Sequence, residues 1–276
     1  MTDNGRASRA TLVDVQSSRD YRKIPIDRVG VREVLYPIAL RVRDNGTQQT
    51  VGVFSLTVDL PEEFKGTHMS RFLEVLSEHN HDIGPDAIPA ILARLRERLR
   101  AKSSHLDVRF TYFREKAAPV TGKVAMMGYE CGFSATGGEE DDFVIRVTVP
   151  VTTLCPCSKE ISAYGAHNQR GYVRVAVRPR GDTLWLECLI DMIEGAASAP
   201  LYPLLKRPDE KYVTEQAYDN PRFVEDMVRE VSLAFDGEDR IASYEIEVEN
   251  LESIHAHNAY ACVRREKPGG NKGAMD

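Results

Sequence analysis

Hydrophobic and polar residues alternate along two stretches near the start of the chain, at positions 34–42 and 52–58. Alternation with a period of two predicts β-strands that present one apolar face. The two stretches flank Asp44-Asn45-Gly46, a sequence typical of a tight turn. Together they predict an antiparallel hairpin.

The pattern then changes to a helical one. Between residues 69 and 76 apolar side chains occupy positions i, i+3, i+4 and i+7, and the same spacing returns over 88–99. These stretches predict two amphipathic helices. Alternation resumes at 106–112 and at 123–133, before an acidic, glycine-rich loop at 136–142. The first half is therefore predicted to have the order ββααββ.

Alternating stretches also dominate the second half. Those at 143–151, 173–177 and 184–190 predict three strands, each with one apolar face. Two more, at 242–248 and 255–263, predict the strands that close the chain. In the first of these closing strands, glutamates alternate with the apolar residues, which predicts one solvated face.

Two helices are predicted between these groups of strands. A short one lies near 198–205, and a longer one over 220–231 begins with Asn220 as N-cap and Pro221 in its first turn. The second half thus repeats the order of the first with no linker between them. This order predicts an α+β fold, a duplicated unit whose helices cover one face of an antiparallel sheet.

The predicted domain organisation follows from these elements. The polar, unpatterned residues 1–20 predict a flexible N-terminal segment, and residues 265–276 a disordered tail. Between them we expect a first module over 21–140 and a second over 141–264, the second holding most of the candidate chemistry.

Charge and composition narrow the classes of function. The 276 residues carry a formal net charge of −6, which gives no general attraction to nucleic acid or to an anionic membrane. No apolar run approaches the roughly 18 residues needed to span a bilayer, and the polar N-terminus lacks the core of a signal peptide. We therefore expect a cytoplasmic protein that holds any anionic ligand with local basic groups.

The candidate chemistry is concentrated in the stretch 152–170. It contains two of the five cysteines, Cys155 and Cys157, followed by Lys159 and His167. An odd number of dispersed cysteines argues against a disulfide scaffold and leaves packing residues, metal ligands or reactive thiols. A Cys-x-Cys pair alone is about as often two ordinary buried thiols as a functional site.

Two other stretches carry groups that could bind metal. One is the charged run 206–215, which contains Glu210; the other contains Glu252, His255 and His257. The two histidines share one face if this stretch is a strand, although such a pair is often only solvated or hydrogen-bonded. Glu210 in a charged loop, like Glu225 on a helix, is more often a solvated carboxylate than a ligand.

Four motifs together resemble a known family. They are Thr-Thr-Leu-Cys-Pro-Cys-Ser-Lys-Glu-Ile-Ser with Gly-Ala-His-Asn-Gln-Arg, Gly-Thr-His-Met-Ser-Arg-Phe at 66–72, the run 206–226, and Glu-Ser-Ile-His-Ala-His at 252–257. Over about residues 12–264 the chain is similar to the type IB GTP cyclohydrolases of prokaryotes. The resemblance implies a tunnelling fold, two tandem ββααββ modules per chain, and a homotetramer with active sites between subunits.

The resemblance also implies an activity and a set of roles. The reaction is hydrolysis of GTP to formate and 7,8-dihydroneopterin triphosphate, the first step of tetrahydrofolate biosynthesis. One divalent ion per site, Zn, Mn or Fe, would be held by Cys155, Glu210, His255 and Glu252, the last as a fourth ligand or as a partner behind the ligands. The implied catalytic residues are Cys155, Cys157 and His167, and the implied substrate-binding residues are Glu225, with Glu215 as its alternative, Lys159, Ser70 and Arg71. Lys206, Arg207 and Lys211 remain further candidates for holding the triphosphate.

Two alternative functions remain open from the sequence. The first is another tunnelling-fold enzyme acting on a pterin or a deazapurine, such as a nitrile reductase with a nucleophilic cysteine. The second is a non-catalytic protein that binds metal or senses oxidants through Cys155 and Cys157. The second alternative gives Glu210, Glu225 and His167 no role.

Overall fold

The alternating stretches form long antiparallel strands. The computed structural model describes residues 14–16, 18–43, 46–79 and 83–268. The strands are β1 (Ile26–Arg41), β2 (Thr47–Leu60), β3 (Ser104–Ala117), β4 (Val124–Gly137), β5 (Asp142–Leu154), β6 (Asn168–Pro179), β7 (Ala199–Pro200), β8 (Ile241–Asn250) and β9 (Ala259–Glu266). The helices are α1 (Met69–Glu78), α2 (Ile88–Leu99), α3 (Pro156–Ile161), α4 (Leu186–Ala196), α5 (Arg207–Asp219) and α6 (Val224–Asp236).

All strands belong to one antiparallel sheet. Its order is β1-β2-β3-β4-β5-β6-β8-β9, and the short β7 pairs with β5. The two predicted ββααββ halves are therefore joined side by side through β4 and β5, which confirms the predicted α+β fold. The module boundaries at 21–140 and 141–264 stay a prediction.

The core lies between the sheet and the helices. Phe54 and Leu56 of β2, Ile91 and Leu95 of α2, and Val231 of α6 are fully buried in one apolar cluster. Residues that alternate with these along the strands point to the opposite face, which is rich in charged side chains. Burial of apolar surface stabilises a fold by about 25 cal/mol per Å². This one-sided packing is therefore the main source of stability.

The sheet has two ends, because antiparallel strands begin and finish side by side. Leu154, Asn168, Asn250 and Ala259 lie at one end, since Leu154 pairs with Asn168 and Asn250 pairs with Ala259. We call this the Leu154 end. The opposite end, called the Leu60 end, is formed by the residues Ile26, Leu60, Ser104, Gly137, Asp142, Pro179 and Ile241.

The predicted strand at 184–190 is wrong. Residues from Leu186 onward form helix α4, whose Leu189, Ile190 and Ile193 are fully buried. Their spacing of three and four residues continues past the short alternating stretch and is helical. Since β6 pairs directly with β8, the sheet also has no position for a strand between them.

Three predictions between residues 198 and 231 are also wrong. The stretch 198–205 contains β7 and no helix, while the charged run from Arg207 forms α5 where a loop was expected. Asn220 ends α5, and α6 begins only at Val224 with Phe223 as its N-cap. Pro221 therefore lies between two helices, where its missing N–H breaks no helical hydrogen bond.

The last predicted strand is shorter than expected. β9 begins at Ala259, so Glu252, His255 and His257 lie in the loop between β8 and β9. Strand β9 continues to Glu266, which includes the first two residues of the predicted tail. The predicted turn residues Asp44 and Asn45, residues 1–13 and residues 269–276 lie outside the described residues.

No helix in the described ranges is long and apolar enough to cross a membrane.

Candidate active site

Cys155 lies directly beyond the Leu154 end of β5. The β5–β6 ladder continues one step past the strands, because the backbone N–H of Cys155 donates to the carbonyl of His167 at 3.1 Å. Helix α3 then begins at Pro156, a position where proline loses no helical hydrogen bond. The Cys155 thiol is half-buried and accepts from the Ser158 N–H at 3.4 Å, whereas Cys157 is exposed.

His167 faces Cys155 across this extended ladder. Its Nδ1 lies 3.0 Å from Oε1 of Gln169, 3.4 Å from Oγ of Ser253 and 3.9 Å from Oε2 of Glu252. Within the described ranges its other ring nitrogen, Nε2, has no hydrogen-bond partner. The side chain is 13% exposed, so the ring is fixed by neighbours on one side and open on the other.

Glu252 is brought to His167 by the loop that follows β8. The N–H of Leu251 donates to the carbonyl of Arg170 at 2.8 Å, which fixes the start of this loop against β6. The Glu252 side chain is 11% exposed, and its Oε2 is buried without a hydrogen-bond partner among the described residues. A buried carboxylate oxygen without a donor is costly unless something else binds it.

The two loop histidines extend the cluster outward. The rings of His255 and His257 stack at 5.3 Å, and the ring of His255 lies 6.4 Å from that of His167 in an edge-on arrangement. The two histidines thus come together as expected, although they do so in a loop and not on a strand. Both are exposed.

Glu210 is not brought into contact with these residues. It is exposed in the first turn of α5, next to the fully buried Asp209. Asp209 accepts hydrogen bonds from the Lys206 N–H and from Thr121, which tie α5 to the loop after β3. Burial raises the pKa of the Asp209 carboxyl, but these hydrogen bonds outweigh it and hold the pKa well below its usual range.

The far end of α5 does reach the cysteine stretch. Nζ of Lys159 in α3 donates to the backbone carbonyl of Tyr218 and lies 4.3 Å from the centre of the Tyr218 ring. Beside this contact is a pocket of about 550 Å³ lined by Leu154, Ala163, Tyr164, Gly165, Ala166, Asn168, Thr214 and Tyr218. Glu210 and Thr214 are one turn apart on α5, so Glu210 lies on the same helix face as the pocket wall.

Glu225 is carried close to the strand end by a backbone contact. The N–H of Arg222 donates to the carbonyl of Leu154 at 2.9 Å, three residues before Glu225. Glu225 itself is exposed in the first turn of α6. Its alternative, Glu215, forms an ion pair with Lys211 at 2.5 Å on α5.

Ser70 and Arg71 lie at the other end of the sheet. They begin helix α1, which follows the end of β2 at Leu60, and Nη1 of Arg71 donates to the carbonyl of Arg98 at 3.3 Å. A strand of 13 residues such as β5 is about 40 Å long. Within one chain, therefore, these two residues do not share a site with Cys155.

The closest group of three possible ligands lies elsewhere. Of the His, Cys, Asp and Glu residues that the structure describes, Glu245, Glu247 and Cys262 alone have ligand atoms within 4.8 Å of one another. They lie on the charged face of β8 and β9, where Arg264 donates to Glu245 and Tyr260 donates to Glu247. Each of these carboxylates therefore already accepts a cross-strand hydrogen bond through its Oε1.

The predicted ligands suit a divalent metal by their chemistry, although among the described residues their ligand atoms do not all lie within 4.8 Å of one another. A half-buried thiol, an imidazole and a carboxylate oxygen without a partner come from Cys155, His255 and Glu252 at one end of the sheet. Thiolate and imidazole suit zinc, and a carboxylate extends the set to manganese or ferrous iron. The unpartnered Oε2 of Glu252 is the observation that favours a bound cation.

Sequence reasoning missed two buried polar residues behind His167. Gln169 is 8% exposed and Thr153 is fully buried, and their side chains share a hydrogen bond of 2.9 Å. A signal for them was present, because both continue the alternating apolar positions of β5 and β6. Each places a polar side chain where the pattern calls for an apolar one.

The fold first defines a class of protein. The solved structure of uricase from Arthrobacter globiformis matches this chain with a TM-score of 0.57, covering 90% of this chain and 96% of that one at 7% sequence identity. At so low an identity the likeness shows the fold alone. The chain is a tunnelling-fold protein.

The family follows from sequence comparison. Residues 12–261 match the family described as type I GTP cyclohydrolase FolE2. GTP cyclohydrolase FolE2 of Geobacter sulfurreducens is 52% identical over 256 residues, which cover 93% of this chain and 99% of that protein. The protein of the same name from Kosmotoga olearia is 52% identical over 254 residues, covering 92% and 98%. The chain belongs to the type I GTP cyclohydrolases.

Proposed function

We propose that this protein hydrolyses GTP to formate and 7,8-dihydroneopterin triphosphate, the first step of tetrahydrofolate biosynthesis. The family supplies the substrate class, and the Leu154 end of the sheet supplies the groups for the chemistry. The observation that carries the proposal is the cluster of Cys155, His167, Glu252 and His255, with one buried carboxylate oxygen left without a partner.

In this proposal Cys155, Glu252 and His255 hold one divalent ion, and Glu210 is the remaining ligand, which in the described structure lies on α5 without contacting these three residues. A divalent ion there would lower the pKa of bound water from about 15.7 towards about 7, which supplies a nucleophile for C8 of guanine. Cys155 offers its thiol at the N-terminus of α3, where helix geometry already orients it. Cys157, one residue on and exposed, positions substrate or transfers protons.

His167 moves the protons that ring opening requires. An imidazole both accepts and donates protons near neutral pH, and the open Nε2 side of His167 is available to a ligand. The Ser158 hydroxyl accepts from the His167 backbone N–H at 3.2 Å, so the residue is held from the backbone as well as through its ring. Its position opposite Cys155 supports a role in proton transfer next to the proposed metal site.

Glu225 recognises the guanine base. One carboxylate accepts both the N1–H and the 2-amino group, so adenine would leave it unpaired and would be rejected. Exposure of Glu225 in this chain fits a residue that meets substrate at the surface of the pocket. Lys159, next to that pocket, is a candidate for the triphosphate.

Ser70 and Arg71 belong to the same site only if another subunit supplies them. Their place at the Leu60 end supports the expected homotetramer with sites between subunits. Exposed apolar residues at the Leu154 end support it as well: Ile161, Tyr164 and Ile254 are 79%, 101% and 66% exposed. Exposed apolar side chains of this size are covered where they lie in an interface between subunits.

The direct test is product analysis. Purified protein loaded with zinc, manganese or ferrous iron should release formate from GTP and form a fluorescent pterin after oxidation, and chelation should stop both. Metal-loaded protein that releases no formate would refute the proposed function. Full activity in Cys155→Ala would overturn only its assignment as a ligand.

Steady-state kinetics separates the roles of two residues. Glu225→Gln should mainly raise KM for GTP, because it turns an acceptor oxygen into a donor that faces another donor. His167→Ala should mainly lower kcat. If the two effects were exchanged, both assignments would be wrong.

Complementation tests the shared site. Arg71→Ala and Cys155→Ala should each be inactive, while their co-expression should restore about a quarter of wild-type activity, since about one site in four would combine two intact halves. Arg109→Ala is the control for Arg71→Ala, because the guanidinium of Arg109 pairs with Glu33 on the charged face of the sheet. Co-expressed variants that stay inactive would place Arg71 outside the site.

A further inference from the structure

Thr153 and Gln169 form a buried polar pair directly behind His167. The two residues are opposite one another in the β5–β6 ladder, and they lie two positions before the pair formed by Cys155 and His167, on the same face of the sheet. Their buried side chains are joined by the Nε2 of Gln169, which donates to Oγ1 of Thr153 at 2.9 Å. Two buried polar groups at apolar positions of a sheet cost stability, so their retention calls for a reason.

In the structure the amide nitrogen of Gln169 lies toward Thr153, whose hydroxyl accepts its hydrogen bond. With its amide nitrogen directed at Thr153, Gln169 presents Oε1 to Nδ1 of His167 at 3.0 Å. A carbonyl oxygen only accepts, so Nδ1 must carry the proton. In a neutral imidazole the other nitrogen is then the acceptor.

Other neighbours of Nδ1 are farther away. Ser253 lies at 3.4 Å and Glu252 at 3.9 Å, and both belong to the loop after β8. Gln169 is fixed inside the sheet and makes the shortest contact. The orientation of the ring is therefore set from the sheet and not from the loop.

We propose that Gln169, oriented by Thr153, is a positioning residue that holds His167 in the Nδ1–H tautomer and directs its bare Nε2 into the active site. This inference rests on the proposed function, in which His167 accepts and returns protons. It adds the residues that decide which nitrogen of His167 does so.

Three variants test the proposal. Gln169→Leu has a similar size but no acceptor, while Gln169→Glu keeps an acceptor for Nδ1–H and lets the Thr153 hydroxyl donate to its second oxygen. Gln48→Leu is the matched control, since Gln48 is a half-buried glutamine whose amide also makes two hydrogen bonds, both to the backbone of Phe113.

The first readout is the tautomer itself. Nitrogen-15 spectra of histidine-labelled protein at about pH 8 distinguish a protonated Nδ1 from a protonated Nε2, with His167→Gln identifying the signal. We expect protonated Nδ1 in wild type, Gln169→Glu and Gln48→Leu, and a mixture in Gln169→Leu. Protonated Nε2 in wild type, or an unchanged tautomer in Gln169→Leu, would overturn the proposal whether or not the protein turns over GTP.

The second readout is kinetic. Removing an orienting partner commonly costs about 10–100-fold in activity, so Gln169→Leu should lose that much kcat with little change in KM. Gln169→Glu should recover most of it, and Gln48→Leu should lose none. An equal loss in both Gln169 variants, or a loss in KM alone, would contradict a positioning role. Formate release by wild type separates these outcomes from failure of the proposed function.

Discussion

The unpartnered oxygen of Glu252 predicts that Glu252→Gln changes the stability of the protein in opposite directions without and with bound metal. Glu252→Gln removes a carboxylate that is 11% exposed and whose Oε2 is buried without a donor. In metal-free protein this change should raise stability, because a neutral amide is less costly to bury. In metal-loaded protein it should lower stability relative to wild type, because a metal-binding oxygen is lost.

The two effects can be given magnitudes. An unsatisfied buried polar group costs about 1–3 kcal/mol, so we expect a gain of about 1 kcal/mol without metal. For a chain of this size that is about 2–4 °C in melting temperature. A loss of about 10–100-fold in metal affinity reduces the stabilisation by bound metal by about 1.4–2.7 kcal/mol, or about 3–11 °C.

Thermal unfolding with and without a chelator measures both changes in stability. Glu249→Gln is the matched control, because Glu249 lies three residues earlier and accepts from Arg174 at 3.0 Å and from Asn258 at 2.9 Å. It should not raise the melting temperature of metal-free protein, and its response to metal should equal that of wild type. A Glu252→Gln protein that melts lower than wild type after chelation and gains as much from metal would refute the reasoning.

Two further predictions concern the described core. Lys116 and Glu194 form an ion pair of 2.6 Å between β3 and α4 with side chains 12% and 11% exposed, so Lys116→Met should lower the free energy of urea unfolding by about 3 kcal/mol. The double variant with Glu194→Gln should lose much less, and an equal loss would contradict this account. Burial raises the pKa of the Cys131 thiol far above its usual range, so iodoacetamide at about pH 8 should modify the exposed Cys157 and spare Cys131. Peptide mass spectrometry decides this, and rapid modification of Cys131 would show that the core opens.

The strands were predictable because one face of each is buried. Phe54, Leu56 and Val58 alternate with half-buried polar residues, and β2 follows that pattern to its end at Leu60. Helix α4 was not predictable in the same way. Its first residues fit both alternation and helical spacing, and only the direct pairing of β6 with β8 excludes a strand there.

The candidate site was predictable as a set of residues but not as an arrangement. The motifs pointed to Cys155, His167 and Glu252, yet nothing in the sequence states that β6 and β8 are neighbours. Because these two strands are neighbours, Leu251 lies against Arg170, and Glu252 comes close to His167 although 85 positions separate the two residues in the sequence. The position of Arg71 at the opposite end of the sheet likewise follows from strand order alone.

A row of polar residues on the apolar face links the fold to the site. Thr153, Gln169 and Asn250 are 0%, 8% and 2% exposed at the Leu154 end, where valines occupy the equivalent positions farther along the same strands. Gly171 makes room for one of them, since a Cβ there would lie 2.7 Å from Oδ1 of Asn250. A sheet built for stability alone would continue the valines, because each buried polar group must find partners or cost free energy. The exception begins two positions before Cys155 and His167 in the ladder, which is where a rigid support for those two side chains is needed. Three buried polar residues on neighbouring strands therefore support a functional role for this end of the sheet; at the Leu60 end Ser104 is buried at an apolar position of β3 as well.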